Sequence, residues 1–259
     1  MKKFLSLVTL LVTALSLAAC SGNLANPDGI TAAETKEPGT NIYGTIQGDW
    51  PVYQNASELV DSAKLVFTGR VTGISFQMLD LRDPETIGDD IDDWHYNLFT
   101  MYDVDIITSY KGEARKSIQV RMMGGLKDYQ VEEQLELLAQ YNKQYIPILE
   151  GHVEYKVGET YLFVLHQYMD VSPTPMNLTQ GAYNLHDPFK KYTIGSYDLD
   201  DSYYIKAVDD YGNPIISAKD VILTFGREKW ESFWVQWQKD NADWETWLDK
   251  EAVERALFQ

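Results

Sequence analysis

Apolar and polar positions alternate most clearly over residues 64–76, "KLVFTGRVTGISF", where β-branched and aromatic side chains recur. A period of two sends successive side chains to opposite faces of a sheet, so this stretch predicts a strand. The same pattern predicts strands in "LFTMYDVDIITSY" (98–110), "KSIQVRMM" (116–123) and "ETYLFVLHQY" (159–168). Lys111-Gly112-Glu113 supplies a turn between the second and third of these. Shorter strand signals lie in "GAYNL" (181–185), "YYIKAV" (203–208) and "DVILTF" (220–225), with the turn sequence "DDYGNP" between the last two.

Helical spacing interrupts this pattern in a few places. Asn55 is a cap residue ahead of Leu59 and Val60, which predicts a short helix. Val131, Leu135, Leu138 and Tyr145 give residues 130–145 a helical face. Residues 226–258 read as two helices broken near Asp240 or Asn241. In the first, Trp230, Phe233, Trp234 and Trp237 fall at i, i+3, i+4 and i+7. Trp244, Trp247 and Leu248 continue the pattern. Trp230, Trp234 and Trp237 are candidate binding residues if that face is exposed; at helical spacing such a face more often packs as core. The predicted fold class is mainly β, of α+β type. It is a single domain over 50–259, with the Trp-rich helices from about 225 and a helix inserted between strands.

The start of the chain has another character. Lys2 and Lys3 precede an uncharged, mostly apolar run from Phe4 to Ala19. That run is shorter than the ~20 residues a spanning helix needs and has the flanks of a secretory signal. Its last residues, Leu17-Ala18-Ala19-Cys20, resemble the lipobox of bacterial lipoprotein precursors. The resemblance implies cleavage before Cys20 and transfer of a diacylglyceryl group to its sulfur. Acyl chains such as palmitate would then anchor the chain to the extracytoplasmic face of a bacterial membrane, two chains sufficing where one does not. Cys20 is also the only cysteine, so no disulfide can form within the chain. Residues 20–49 are rich in Gly, Pro, Thr and Asn and read as a flexible tether with a reach on the order of 30 Å.

The strand sequence carries a second resemblance. "AKLVFTGRVTGI", "YDVDIITSYKGEA", "IQVRMMGG", "KVGETYLFVL" and "TQGAYNL" follow one another in an order similar to the netrin-like, tissue-inhibitor-of-metalloproteinase-like OB barrel. It implies a five-stranded, partly open barrel over roughly residues 59–186. Disulfides staple the eukaryotic members, and this chain can form none. The metalloproteinase inhibitors place a free N-terminal cysteine on the metal, whereas Cys20 here would be lipidated. Inhibition therefore does not carry over.

Chemistry is sparse. The four histidines, His95, His152, His166 and His186, form no H-x-x-x-H pair, and no other cysteine exists to complete a zinc site. Residues 80–95, "DLRDPETIGDDIDDWH", hold seven carboxylates. Among them Asp89, Asp90, Asp92 and Asp93 are the weak metal candidates, because oxygen-rich loops suit calcium. They lack the D-x-[DN]-x-[DN]-G spacing that arranges ligands round the ion, so the loop reads as solvated acid. Gly124-Gly125 reads as a turn or bulge. No G-x-S-x-G, P-loop or G-x-G-x-x-G occurs, and no cofactor is expected. The formal charge is −17, and −19 once Lys2 and Lys3 are removed, which disfavours nucleic acid.

These readings converge on a non-catalytic, lipid-anchored binding module of the bacterial cell envelope, whose partner is a protein or a cell-wall glycan. The alternative is a cell-envelope hydrolase with dispersed carboxylate or histidine residues. A transporter's substrate-binding lipoprotein is disfavoured, since no alternating βα pattern supports two lobes.

Overall fold

The computed structural model describes residues 41–48, 50–80, 82, 95–113, 115–151, 154–168, 171–189, 191–192 and 216–258. The chain divides into two units, Met1–Thr40 and Asn41–Gln259, and every described residue belongs to the second. The signal segment, Cys20, residues 20–40 of the tether, the strand expected at 203–208 and the turn at 209–214 lie outside the described residues.

In chain order the first elements are β1 (Tyr43–Ile46), α1 (Ala56–Ser62), β2 (Leu65–Leu79), β3 (Asn97–Lys111) and β4 (Ser117–Met123). Then come α2 (Val131–Ala139), β5 (Ile146–Leu149), β6 (Thr160–His166), β7 (Thr174–Pro175) and β8 (Ala182–Asn184). The C-terminal part contains β9 (Lys191–Tyr192), β10 (Ile216–Ser217), α3 (Ala218–Leu223), α4 (Arg227–Asp240), a 3-10 turn (Trp244–Thr246) and α5 (Lys250–Phe258). The architecture is α+β with a mostly antiparallel sheet.

That sheet runs in the order β4-β3-β2-β6-β7, with β8 also paired to β6. β2 is its centre. It pairs with β3 from Val66↔Lys111 to Leu79↔Asn97. Its first part also pairs with β6, from Leu65↔Leu165 to Arg70↔Thr160. Register shifts at Val66/Phe67, Thr68/Gly69 and Val71/Gly73 coil β2 so that it can serve both neighbours. Among the described residues the ladder does not close on itself.

Each sheet face builds its own core. On one, Phe67, Tyr102, Val120, Tyr161 and Phe163 pack with Tyr155. On the other, Val66, Leu162 and Val164 meet α1, α3 and the tryptophans of α4. β6 is therefore buried on both sides, which explains its nearly continuous apolar run. A third cluster of Phe76, Leu98, Leu126, Leu138 and Ile146 sits under α2.

The local chemistry of the elements matches the sequence in several places. Asn55 caps α1, its side chain accepting from the Glu58 N–H at 2.9 Å. Gly112 turns the chain after β3 with φ +90, a backbone that L side chains rarely adopt. Gly124 and Gly125 are structural: the Gly124 N–H donates to the Leu98 carbonyl and the Gly125 N–H to that of Pro147.

Other expectations are corrected. Residues 43–46, placed in the tether, form β1, which pairs in parallel with β5. Such a short strand has no periodicity to read and exists only through its partner. "DVILTF" is not a strand: it enters α3, whose start is fixed by a capping box between Ser217 and Asp220. Short apolar runs do not distinguish strand from buried helix, and here the cap decides. α2 stops at Ala139, and Tyr145 lies beyond it, exposed. Asn142 takes φ 55 and the Lys143 N–H returns to the Leu138 carbonyl, which ends the helix.

Candidate functional site

Trp230, Trp234 and Trp237 are 4%, 9% and 5% exposed. The Trp234 ring lies parallel to Trp237 at 4.9 Å and to Trp230 at 6.0 Å. This face of α4 is core, docked on α1, α3 and the sheet, and not an open contact surface. The helix ends where the sequence placed a break: the Asn241 backbone N–H and its side-chain amide both donate to the Trp237 carbonyl.

An open groove of about 450 Å³ lies between the adjacent flank of α4 and the outer face of the sheet. Its floor is made by Thr68 and Arg70 of β2, Thr108 and Tyr110 of β3, and Thr160 of β6. The register brings these together: Thr68 stands opposite Thr108, and Arg70 opposite Thr160. α4 forms one wall through Lys229, Ser232, Phe233, Gln236, Trp237 and Asp240. Gly158, Glu159, Asn184 and His186 form the other.

The groove is open for a physical reason. Further along this same face, Val66, Leu162 and Val164 are apolar, and the helix layer covers them. Threonines and an arginine floor the groove instead, and closing a helix over them would strand their polar groups without water. The face is thus sealed where it is apolar and open where it is polar.

Several groove side chains are held in place. One oxygen of Glu159 accepts from the Tyr161 hydroxyl at 2.8 Å and from the Asn184 amide at 2.6 Å. Gln236 donates to the Asp240 carboxylate at 3.0 Å. The Trp237 indole N–H donates to the Leu185 carbonyl, tying the two walls together. The Tyr110 hydroxyl bonds to Thr68, and burial pushes its pKa up to about 12, so it stays protonated and neutral. At the lip the His186 ring stacks on Trp247 at 4.1 Å and 4°.

The remaining sequence candidates are not brought together. Asp89, Asp90, Asp92, Asp93 and His152 lie outside the described residues. His166 sits beside Tyr168, away from the groove, and burial together with Lys64 lowers its pKa. His95 is half-buried at the start of β3, its carbonyl accepting from the Asn97 side chain. Among the described residues, no group of three or more His, Cys, Asp or Glu is arranged to hold a metal.

Of the groove residues, the sequence points to Trp237 and His186 alone as functional candidates, and to neither as part of a groove. One signal was available, namely polar Thr68 and Arg70 on the same side of β2 as apolar Val66. Phe233 shares the helical spacing of the tryptophans, and it lines the groove together with Trp237. No protein-family model and no curated protein sequence matches the chain.

Proposed function

We propose that the protein is a lipid-anchored binding module on the extracytoplasmic face of a bacterial membrane, attached through Cys20, and that it binds its ligand in the groove beside α4. The observation that carries the binding reading is the groove itself. Its volume falls within the ~300–1,000 Å³ of small-ligand clefts, and fixed polar groups converge there beside aromatic rings. The anchor reading rests on the Leu17-Ala18-Ala19-Cys20 motif and on Cys20 being the only cysteine. A partly open OB-like barrel agrees with the antiparallel strand order. It agrees also with a hydrogen bond from the Arg121 N–H of β4 to the carbonyl of Pro173, just before β7.

The anchor is tested by expressing the full chain in a bacterium and weighing its N-terminal peptide. A diacylated Cys20 is expected, and Cys20→Ala should release the protein from the membrane fraction. An unmodified Cys20 with Met1 retained overturns the anchor. The groove is tested by sedimentation with purified cell-wall sacculi. Wild type and Val235→Ala should co-sediment, while Phe233→Ala and Gln236→Ala should not. Equal co-sedimentation of all four overturns the groove as the site.

One observation favours the hydrolase reading: Glu159 and Asp240 line the same groove, and glycoside hydrolysis uses a pair of carboxylates. Release of reducing ends from the sacculi, abolished by Glu159→Gln, would establish it. Binding without release leaves the module non-catalytic.

A further inference from the structure

We infer that the groove beside α4 takes an uncharged, hydroxyl-rich ligand, a neutral oligosaccharide. The inference rests on the groove being the binding site and names the class of its occupant.

Charge is the first argument. The groove lining holds two cations, Arg70 and Lys229, and two anions, Glu159 and Asp240. The whole chain carries −17. A site selecting an anion would need an excess of positive charge, and this one has none. Its Asp240 end is also the C-terminus of α4, where the helix dipole is negative and repels anions further. Against a cationic ligand, the two carboxylates are matched by the two cations of the lining, and Glu159 also has Lys156 at 3.9 Å; the neutral donors Tyr161, Asn184 and Gln236 fix their orientation.

Hydrogen-bonding character is the second. Thr108, Ser232, Gln236, Asn184 and Asn241 each carry both donor and acceptor capacity. Such groups match hydroxyls, which also do both. Aromatic Phe233 and Tyr110, half-buried at the groove, supply apolar surface for the C–H faces of a sugar ring.

An extended peptide finds little strand edge on the groove floor. Peptides added to sheets pair with an unsatisfied strand edge. At the groove, β2 is hydrogen-bonded on both sides, to β3 and β6, and β6 is bonded to β2 and β8. On β2 and β6 recognition therefore falls to side chains, while the ladder of β3 with β4 ends at Asp105↔Ser117, short of the Thr108 and Tyr110 that line the groove.

Three tetrasaccharides of similar size distinguish the outcomes in calorimetric titrations of the full chain: β-1,4-linked N-acetylglucosamine (neutral), its de-N-acetylated form (cationic) and galacturonic acid (anionic). The neutral tetramer should bind with an affinity that salt does not change. Phe233→Ala and Gln236→Ala should each weaken it roughly tenfold or more, with Val235→Ala unchanged. Thermal melts establish that the variants are folded. Binding confined to a charged tetramer, weakened by the same substitutions, overturns the neutral-sugar inference and leaves the groove as the site. Neutral binding indifferent to both substitutions overturns the groove reading itself. If no tetramer binds, the inference falls, and the groove stands or falls on the sacculus experiment.

Discussion

Replacing Trp234 by alanine separates a core tryptophan from a ligand-facing one. Trp234 is 9% exposed and touches aromatic rings on several sides. It stacks on Trp230 and Trp237, and meets Phe189 at 5.1 Å and Trp244 at 5.5 Å. A buried aromatic of this kind covers about 150–250 Å². At ~25 cal/mol per Å² that is roughly 4–6 kcal/mol, an upper bound because the unfolded chain already hides some surface. Measured Trp→Ala costs of about 3–5 kcal/mol are the better guide. For a domain of this size each kcal/mol moves Tm by about 2–4 °C, so a drop of roughly 6–20 °C is expected. Urea unfolding followed by far-UV circular dichroism measures the cost without relying on tryptophan emission. Val235, next in sequence and 52% exposed, is the control, and Val235→Ala should stay within about 0.5 kcal/mol of wild type. A loss below about 1 kcal/mol for Trp234→Ala would refute the docking of α4 on the sheet.

Three further outcomes are expected. Gln134 is fully buried; its amide donates to the Leu126 and Tyr129 carbonyls, and its oxygen accepts from the Leu126 N–H. Gln134→Leu strands buried backbone groups and should cost about 2–4 kcal/mol in urea unfolding, and a neutral result would show that water replaces the amide. Arg121 is 4% exposed, lies 5.8 Å from the Phe99 ring centre, and its Nη1 has no hydrogen-bond partner. Arg121→Met keeps the stem and removes an uncompensated charge, so Tm should hold or rise, and a loss above about 1 kcal/mol would show the guanidinium to be paired. Burial and Lys64 hold the His166 pKa below 6.5, so the unfolded chain takes up its proton first as the pH falls. This contribution to stability is complete above about 6.5 and is lost below it. His166→Gln should flatten the stability slope in that window, and an unchanged slope would exclude this histidine as its source.

The sequence by itself determined what is carried by local pattern. Long alternating strands survive any neighbour, so β2, β3, β4 and β6 are visible in their periodicity. The Asn55 cap, the Gly112 turn and the end of α4 at Asn241 follow from side-chain and backbone chemistry within a few residues. The lipobox resemblance is a contiguous motif and needs no fold to be noticed. Tertiary structure alone decided the rest. β1 exists because β5 lies beside it, while α3 owes its start to the local Ser217–Asp220 cap and only its burial to packing in the Trp core. The tryptophan face could have been surface or core, because spacing gives a side chain's direction and not what lies opposite. Burial against Val66, Leu162 and Val164 settled it. The groove was least legible of all. It comes from the register of β2 with β3 and β6, which gathers Thr68, Arg70, Thr108 and Thr160, far apart in sequence, into one polar floor that an amphipathic helix can flank but cannot seal.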